Sequence, residues 1–255
     1  PQKGTQGARA ARVSPKMNVF YNVNDNLQLF VKTGMGFHSN DVRAAVAENG
    51  KNVLPYTIGS DIGGVWAIGS NFIVIPTLWY SFLQNEFVWN GDSYGTSSVG
   101  STKRTGIDLS FRYQPLPWLY IDSDVNLAKP RVVNAEKGND YVDLAPTFTS
   151  TGGVAVTLNH RFSANLRYRY MGDRPANENK SIIANGYFVT DLMLAYRVKF
   201  LTFNAQVQNL LNTNWNEAMF AETTRLKGER SEGYDQLTFT PGTPFFLKAG
   251  ITIRF

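Results

Sequence analysis

The chain has 255 residues, 43% of them hydrophobic and 13% aromatic, with a formal charge of +5, a pI near 9.3 and no cysteine. The absence of cysteine excludes a disulfide framework and a thiolate metal site. The basic residues are spread singly along the chain, which argues against a nucleic-acid surface. No run reaches the roughly 18 consecutive apolar residues of a membrane helix, since Pro76 interrupts the longest.

Apolar and polar residues alternate through most of the chain in segments of about ten residues, each followed by a turn, as in the strands of a membrane barrel. In the first clear segment, Leu27, Leu29 and Val31 share one face, and only Phe30 departs from the polar character of the other. The same alternation recurs to the C-terminus. It predicts about eleven strands, at 12–23, 27–37, 56–68, 71–89, 101–113, 118–129, 147–158, 161–171, 186–197, 201–211 and 244–255.

The connections between these segments alternate in length. Short turns are predicted at residues 24–26, 69–70, 114–117, 159–160 and 198–200. Long polar connections are predicted at 38–55, about 90–100, 130–146, 172–185 and 212–243. Short periplasmic turns and long extracellular loops produce this alternation in bacterial outer-membrane barrels.

A soluble β-sandwich is the alternative, because one face of each of its sheets is also solvated. Three features favour the barrel. Strands of about ten residues match a tilted bilayer span, whereas strands of five or six are usual elsewhere. Loop lengths in a sandwich need not alternate. Aromatic residues also collect beside the short turns, where an interfacial girdle is expected, namely Tyr113, Trp118, Phe162, Phe200 and Phe255.

The parity of the strands predicts an incomplete barrel. If the short turns are periplasmic, the first and the last strand both run towards the periplasm, so the chain begins on an even-numbered strand. The N-terminus, residues 1–5, also lacks the charged and apolar regions of a signal peptide. We therefore expect a fragment that forms the back half of a larger barrel.

The last strand resembles the C-terminal recognition signal of outer-membrane proteins, which the barrel-assembly machinery reads by pairing with the strand edge. The pattern is a polar residue, a glycine, a hydrophobic residue and a terminal aromatic. Its positions here are Lys248, Gly250, Ile253 and Phe255. We predict that these four residues act as an assembly signal.

Three further stretches resemble the C-terminal half of TonB-dependent receptors. A strand–turn–strand segment runs from Ser14-Pro15-Lys16 through Asn26-Leu27 to Gly34-Met35-Gly36-Phe37-His38. The penultimate-strand motif is similar to Val207-Gln208-Asn209-Leu210-Leu211-Asn212. The segment that usually precedes the final strand in this family is similar to Pro241-Gly242-Thr243-Pro244.

This resemblance implies an all-β fold, an antiparallel transmembrane barrel of about 22 strands, of which residues 1–255 would be the C-terminal part. It also implies an N-terminal plug domain and a TonB box, and neither occurs in this sequence. The expected location is the bacterial outer membrane. The expected partners are outer-membrane lipid, the TonB complex, the barrel-assembly machinery and a small nutrient ligand.

Enzyme chemistry has few residues available to it. With no cysteine and only two histidines, His38 and His160, nucleophilic triads are hard to assemble. His160 lies in a predicted short turn, so we interpret it as a solvated turn residue. Asp122 and Asp124 face the same side of one strand, but the arginines on neighbouring strands favour a charge-paired lumen over acid–base or metal chemistry. We therefore expect no enzyme, catalytic residue, metal site or cofactor.

The predicted function is TonB-coupled uptake of a scarce, bulky nutrient such as an iron–siderophore or cobalamin. Ligand contact is assigned to residues of the long loops, where exposed aromatic tips bind amphipathic molecules or pack the loops together. These residues are His38, Trp89, Tyr94, Trp215, Phe220 and Tyr234. The alternatives are a passive porin, a membrane-embedded hydrolase and a soluble secreted β-domain acting as a binding module.

Overall fold

The structure is a computed structural model that describes residues 10–38, 54–90 and 95–255, with backbone only at 87–90 and 95–98. Fifteen strands are formed within these ranges, and eleven of them make one antiparallel sheet. In spatial order these are β1 (Lys16–Asn24), β2 (Leu27–Phe37), β3 (Tyr56–Ile68), β4 (Phe72–Asn90), β5 (Gly95–Leu116), β6 (Leu119–Val132), β7 (Phe148–Leu158), β8 (Phe162–Met171), β11 (Tyr187–Val198), β12 (Leu201–Gln208) and β15 (Phe246–Ile253).

The eleven predicted strands correspond one to one to the strands of this sheet, which confirms the all-β prediction. The long connection predicted at about 90–100 is wrong, because β5 begins at Gly95 and pairs with the end of β4. Two contacts hold this extension: Thr102 Oγ1 donates to Glu86 at 2.6 Å, and Ser101 Oγ donates to the Gln84 carbonyl at 2.7 Å. Residues 95–100 contain a single apolar residue other than glycine, Val99, so they lack the alternation that marks the other strands.

Two of the predicted long polar loops contain hairpins. Within 172–185 lie β9 (Arg174–Pro175) and β10 (Ile183–Ala184), and within 212–243 lie β13 (Asn216–Thr224) and β14 (Tyr234–Pro241). Each hairpin forms a separate two-stranded sheet. Periodicity missed β13 because its single buried side chain, Met219, gives no alternating face.

The register divides the sheet into two faces. The apolar face holds rows of paired aliphatic side chains, one of which is Ile121, Val154, Leu166, Leu192, Val207 and Leu247. The polar face holds the intervening residues, and one of its rows is Arg112, Asp122, Gly153, Arg167 and Asp191. Leu78 and Ile107, on the apolar face, are 57% and 48% exposed, so no described residue covers them.

The two edges of the sheet that carry the connections differ in their aromatic residues and in their loops. At the edge with the short turns, Phe72, Phe111 and Tyr113 form a cluster with ring centroids 5.5–6.4 Å apart, here called the turn-side girdle. At the opposite edge, with the long loops, the pairs Tyr56–Phe82 and Phe148–Tyr170 lie 5.8 and 5.3 Å apart and form the loop-side girdle. The apolar face therefore lies between two aromatic belts, as in a transmembrane barrel.

The short turns follow from local chemistry. Asn24 Oδ1 accepts a hydrogen bond from the Asn26 amide at 2.9 Å, which closes the first turn. Asn159 and His160 adopt φ of 48° and 52°, and the Arg161 amide donates to the Leu158 carbonyl at 3.0 Å. Positive φ at both central residues matches the twist of an antiparallel hairpin. His160 is thus an exposed turn residue, as predicted.

The sheet is open within the described residues, since β1 pairs only with β2 and β15 only with β12. Its buried apolar residues are few. Of the seven buried hydrophobic residues among those described, five lie in the loops: Val142, Ala145, Ala176, Ala184 and Met219. The structure contains no helix, in the ranges it describes, that is long and apolar enough to cross a membrane.

Candidate ligand-binding face and loop assembly

Four ion pairs join strands across the polar face among the described residues. Three join neighbouring strands: Arg104 with Glu86 at 2.5 Å, Arg112 with Asp124 at 2.9 Å, and Arg169 with Asp191 at 3.7 Å. The fourth joins Arg167 of β8 to Asp122 of β6 at 2.5 Å. Asp122 and Asp124 do face the same side, as predicted, and each is neutralised by its own arginine. Among the described residues, no group of three or more His, Cys, Asp or Glu side chains is placed to hold a metal ion.

Gly152 and Gly153 allow two long side chains of β8 to cross β7. Arg167 passes over Gly153 on the polar face to reach Asp122 on β6, and a Cβ at Gly153 would meet Arg167 Cδ at 2.9 Å. On the apolar face, Tyr168 passes over Gly152, and its hydroxyl bonds to Ser123 at 2.7 Å and Ser150 at 2.9 Å. The two glycines thus let one strand be bridged on both faces.

Large side chains lie over glycines at two more places on the polar face. Trp79 covers Gly106 and donates from Nε1 to Asp108 at 2.8 Å, and Asn126 donates to the same carboxylate. Phe30, only 6% exposed, packs over Gly63, and the Lys32 ammonium lies 4.3 Å from its ring centroid. This explains why Phe30 breaks the sequence alternation: it fills the space that a glycine leaves.

The polar face is also the concave one. A groove of about 610 Å³ lies across β7, β8, β11, β12 and β15, with Ala155, Asn165, Met193, Asn204, Gln206 and Lys248 among its polar-face residues. A second groove, of about 390 Å³, lies between β1, β2 and β3 and includes Lys16, Lys32 and Asp61. The sheet therefore curves around its polar side, as a barrel wall curves around a lumen.

Three loop segments pack together at the loop side: residues 133–147, the β9–β10 hairpin and the β13–β14 hairpin, here called the loop assembly. Met219, 2% exposed, packs against Ala176 and Ala184. Backbone bonds tie the first segment to the second, from the Leu144 amide to the Pro175 carbonyl at 2.8 Å and from Tyr141 to Glu178 at 3.1 Å. The loops thus share a small core of their own.

A carboxyl group with a perturbed pKa lies where two of these segments meet. Burial, with the nearby Glu178 carboxylate as a second cause, raises the pKa of Asp143 from its ordinary 3.8 to about 6. Asp143 Oδ1 is buried without a hydrogen-bond partner in the structure. Ionising Asp143 therefore opposes the packing of the loops.

Asn209 joins the loop assembly to the sheet. It is 1% exposed, with φ of 50°, and its side-chain amide donates to the carbonyls of Thr213 at 2.8 Å and Thr243 at 3.0 Å. Its own backbone amide donates to Asp191 of the polar face at 2.9 Å. Asn212 Oδ1 accepts a further hydrogen bond from the Phe245 amide at 3.0 Å. The motif Asn209-Leu210-Leu211-Asn212 thus fastens the exit of β12 to the entry of β15.

The predicted ligand residues lie in different settings. Trp215 packs on Gly242, donates to the Thr243 carbonyl at 3.0 Å and lies 5.0 Å from the Tyr187 ring, so it supports the base of the β13–β14 hairpin. Phe220 is half-buried in β13. Tyr234, at the start of β14, is 46% exposed and has the Arg230 guanidinium 4.3 Å from its ring centroid. These three share one loop.

The other three predicted ligand residues are separate from that loop. His38 directly follows β2, and its amide bonds to the Pro55 carbonyl at 3.4 Å. Trp89 lies at the end of β4, where only the backbone is described, and Tyr94 lies outside the described residues. The structure thus does not bring all six residues into one described cluster, and their contact with a ligand stays a prediction.

The predicted assembly signal lies on the edge strand β15 or just beyond it. Lys248 pairs with Gln206 and Gly250 with Asn204 on the polar face, while Ile253 pairs with Leu201 on the apolar face and is 59% exposed. Phe255 follows the strand and is fully exposed. A free strand edge is the element that edge pairing requires, and the role of these residues as a signal stays a prediction.

Sequence reasoning missed Asn209 and Asp191 as the link between sheet and loops. Asn209 was quoted only as part of a motif, and Asp191 was not singled out. A polar residue directly after a clean alternating strand, followed three residues later by Asn212, was the available signal. Asparagine at such positions accepts positive φ and satisfies exposed backbone groups.

A family model described as TonB dependent receptor-like, beta-barrel matches residues 2–210. No curated protein matches significantly. Among solved structures, the chain is similar to the ferric-catecholate import receptor Fiu from E. coli K12, with 18% identity and a TM-score of 0.67, covering 93% of this chain and 34% of that one.

Two further structures have the same fold. The ferric yersiniabactin uptake receptor FyuA from Yersinia pestis shares 13% identity with a TM-score of 0.72, over 94% of this chain and 37% of that one. The copper transporter OprC shares 14% identity with a TM-score of 0.72, over 95% of this chain and 38% of that one. The chain spans little more than a third of the length of these proteins.

Proposed function

Because the chain belongs to the TonB-dependent receptor-like β-barrel family of the bacterial outer membrane, we propose that it forms the C-terminal part of a barrel that imports a metal chelate in a TonB-coupled manner. The observation that carries the proposal is the pair of faces: a curved wall with an uncovered apolar side and an ion-paired polar side, capped by packed loops.

The remaining strands of the barrel, an N-terminal plug and a TonB box belong to this proposal. The length relative to the similar structures, 34% to 38%, supports a larger parent protein. The unpaired edges of β1 and β15 are where the rest of the barrel would pair. The barrel-assembly machinery would read β15 through Lys248, Gly250, Ile253 and Phe255.

The apolar face would meet outer-membrane lipid. Its aliphatic rows are exposed between two aromatic girdles, which is the arrangement that a bilayer satisfies and water does not. The polar face would then line the lumen, where four arginine–carboxylate pairs neutralise one another across the strands. Each of these pairs is electrically neutral, and the wall that surrounds the plug would carry them on its inner surface.

Ligand capture is assigned to the long loops. Tyr234 with Arg230 stacked on it offers an exposed aromatic ring and a cation, which suits an anionic, aromatic iron chelate. Phe220 lies on the same hairpin and is half-buried. Trp215 would act through the placement of this hairpin. His38, Trp89 and Tyr94 remain candidates on neighbouring loops.

The class of substrate proposed for this chain is narrower than the range named for the family in the sequence analysis. The names of the similar proteins include ferric-catecholate, ferric yersiniabactin and copper, which supports a metal or metal chelate over cobalamin. A passive porin is the second candidate, but the loop core at the mouth argues for a closed binding surface rather than an open channel.

Uptake of radiolabelled iron as a ferric catecholate tests the proposal. The full-length receptor would be expressed in a host that lacks its own catecholate receptors, with and without TonB. We expect uptake only when both are present, and Tyr234→Ala to lower the affinity about 10-fold, while Tyr120→Ala, on the sheet, leaves it unchanged. TonB-independent flux of small sugars would overturn the proposal in favour of a porin.

A further inference from the structure

The apolar face carries three charged side chains among its described, paired residues, and all three are cations. They are Lys103 on β5 and Lys129 and Arg131 on β6. Lys103 pairs in register with Arg131, and Lys129 with Thr105 one step further along. The register therefore places all three in one patch on two adjacent strands.

Arg131 already has partners within the chain. Its Nε lies 3.2 Å from Asp140 Oδ2, and its guanidinium lies 4.3 Å from the centroid of the Tyr141 ring. Lys103 and Lys129 are both exposed and form no ion pair with the described part of the chain. Within the described ranges, two ammonium groups thus remain on an apolar surface without a carboxylate partner.

The height of the two lysines on the wall is set by the strands. Ten residues separate Lys103 from Tyr113 of the turn-side girdle. At about 3.4 Å per residue and a tilt of about 40°, this corresponds to a height of about 26 Å, close to the height of the apolar band of an outer-membrane barrel, about 25 Å. Lys103 therefore lies at the boundary between acyl chains and headgroups.

The neighbouring side chains mark the same boundary. Lys103 pairs in register with Phe82, and Leu127, two residues before Lys129, pairs with Phe148. Phe82 and Phe148 belong to the loop-side girdle, so the lysines fill the gap in this belt between β4 and β7. Long lysine side chains at such a position extend along the apolar surface and present the ammonium group to headgroups.

We propose that Lys103 and Lys129 form a binding site for the phosphate of an outer-leaflet lipid, with the girdle aromatics packing against its acyl chains. Charge complementarity identifies the occupant: two unpaired cations at headgroup height select a phosphorylated lipid over a neutral one. The inference rests on the proposed lipid-facing orientation of the apolar face. It adds a specific lipid contact to that face.

The test uses the purified full-length receptor in detergent, titrated with diphosphorylated lipid A and with the same lipid after dephosphorylation. We expect the phosphorylated form to bind preferentially, and Lys103→Ala/Lys129→Ala to weaken its binding roughly 30-fold, since each cation at an anionic surface contributes about 5-fold. Lys103→Arg/Lys129→Arg should retain the binding. Lys137→Ala/Lys227→Ala removes two exposed loop charges as the matched control and should leave it unchanged.

Other outcomes overturn the inference. Equal binding of the two lipid forms by the unaltered receptor would do so without any variant. Binding of inorganic phosphate alone, at the affinity of the lipid, would make the patch a free-anion site. A concentration-dependent dimer that the lysine variants abolish, with lipid binding unaltered, would make it a contact between two copies.

A separate measurement distinguishes failure of the phosphate site from failure of the proposed lipid-facing orientation of the apolar face. These 255 residues contain no cysteine, so Leu78→Cys gives this part of the receptor one site for a label, on the apolar face where Leu78 is 57% exposed. Quenching of that label by a lipid-soluble agent, but not by a water-soluble one, supports the orientation. If it is quenched in this way and the lysine variants still bind lipid normally, only the phosphate site is overturned.

Discussion

The sheet and the loop assembly are stabilised in different ways. The sheet has two exposed faces and is held by its strand pairing, by ion pairs and by side chains that lie across glycines, as Arg167 does over Gly153. The loop assembly has a small apolar core around Met219 instead. In a membrane barrel the bilayer supplies the apolar surroundings of the wall, so only the water-exposed loops need a core of their own.

This contrast predicts where a substitution acts. A change in the sheet should affect assembly of the whole wall, because every strand of the sheet except β1 and β15 is paired on both sides. A change in the loop core should loosen the loops and leave the wall intact. The sheet and the loops are linked by polar contacts, among them the Asn209 amide to the Asp191 carboxylate at 2.9 Å and Arg131 to Asp140 at 3.2 Å. The apolar core around Met219 lies wholly within the loop assembly, so its loss is expected to act on the loops first.

The largest effect is expected from Gly153→Ala. A Cβ at Gly153 would overlap the Leu166 carbonyl and the Arg167 side chain, which must move and lose its bond to Asp122. We expect the free energy of unfolding of the receptor to fall by about 3 kcal/mol or more, measured by urea titration in micelles. Gly59→Ala is the control, since its Cβ would meet nothing closer than 4.0 Å. Equal effects of the two substitutions would contradict this account of Gly153.

A smaller and local effect is expected from Met219→Ala. This substitution opens a cavity among Ala176, Ala184 and their neighbours. We expect it to destabilise the loop assembly by about 2 kcal/mol. This value is at the low end for a buried methionine, because the loops can partly collapse into the cavity. Proteolysis within 212–243 should accelerate while the urea midpoint of the wall stays constant. Phe239→Ala, at a side chain that is 58% exposed on the same hairpin, should change neither. A lowered midpoint for the wall would refute the independence of the two regions.

The smallest effect is a pH dependence confined to the loops. The pKa of Asp143 is higher in the folded protein, about 6, than its ordinary 3.8, so this group favours packed loops at acid pH and the contribution is lost as the pH rises through about 6. We expect a loss of about 1 kcal/mol, after allowance for the solvent screening of a half-buried carboxyl group. Hydrogen exchange of residues 141–145, corrected for intrinsic rates, measures it.

Two variants complete that experiment. Asp143→Asn cannot ionise and should make loop protection independent of pH over the same range. Glu136→Gln changes an exposed carboxyl group of the same loop and should keep the dependence of the unaltered protein. If Asp143→Asn retains the full dependence, the titrating group lies elsewhere.

The arrangement of the wall could be read from the sequence because its signal is local. Alternation along each strand placed Leu27, Leu29 and Val31 on one face, and Asp122 and Asp124 together on the other, and the register confirms both assignments. A period of two follows directly from the geometry of a strand and needs no knowledge of its neighbours. The sequence by itself therefore determined the eleven strands of the main sheet and their two faces, and its motifs resembled the family.

Tertiary structure alone decided which residues meet across the strands. Phe30 looked like an error in the pattern until register placed it over Gly63. The β9–β10 and β13–β14 hairpins looked like polar loops, because their one small core draws single residues from distant segments. Such contacts depend on register and on loop closure between segments far apart in the chain, neither of which leaves a periodic trace in the sequence.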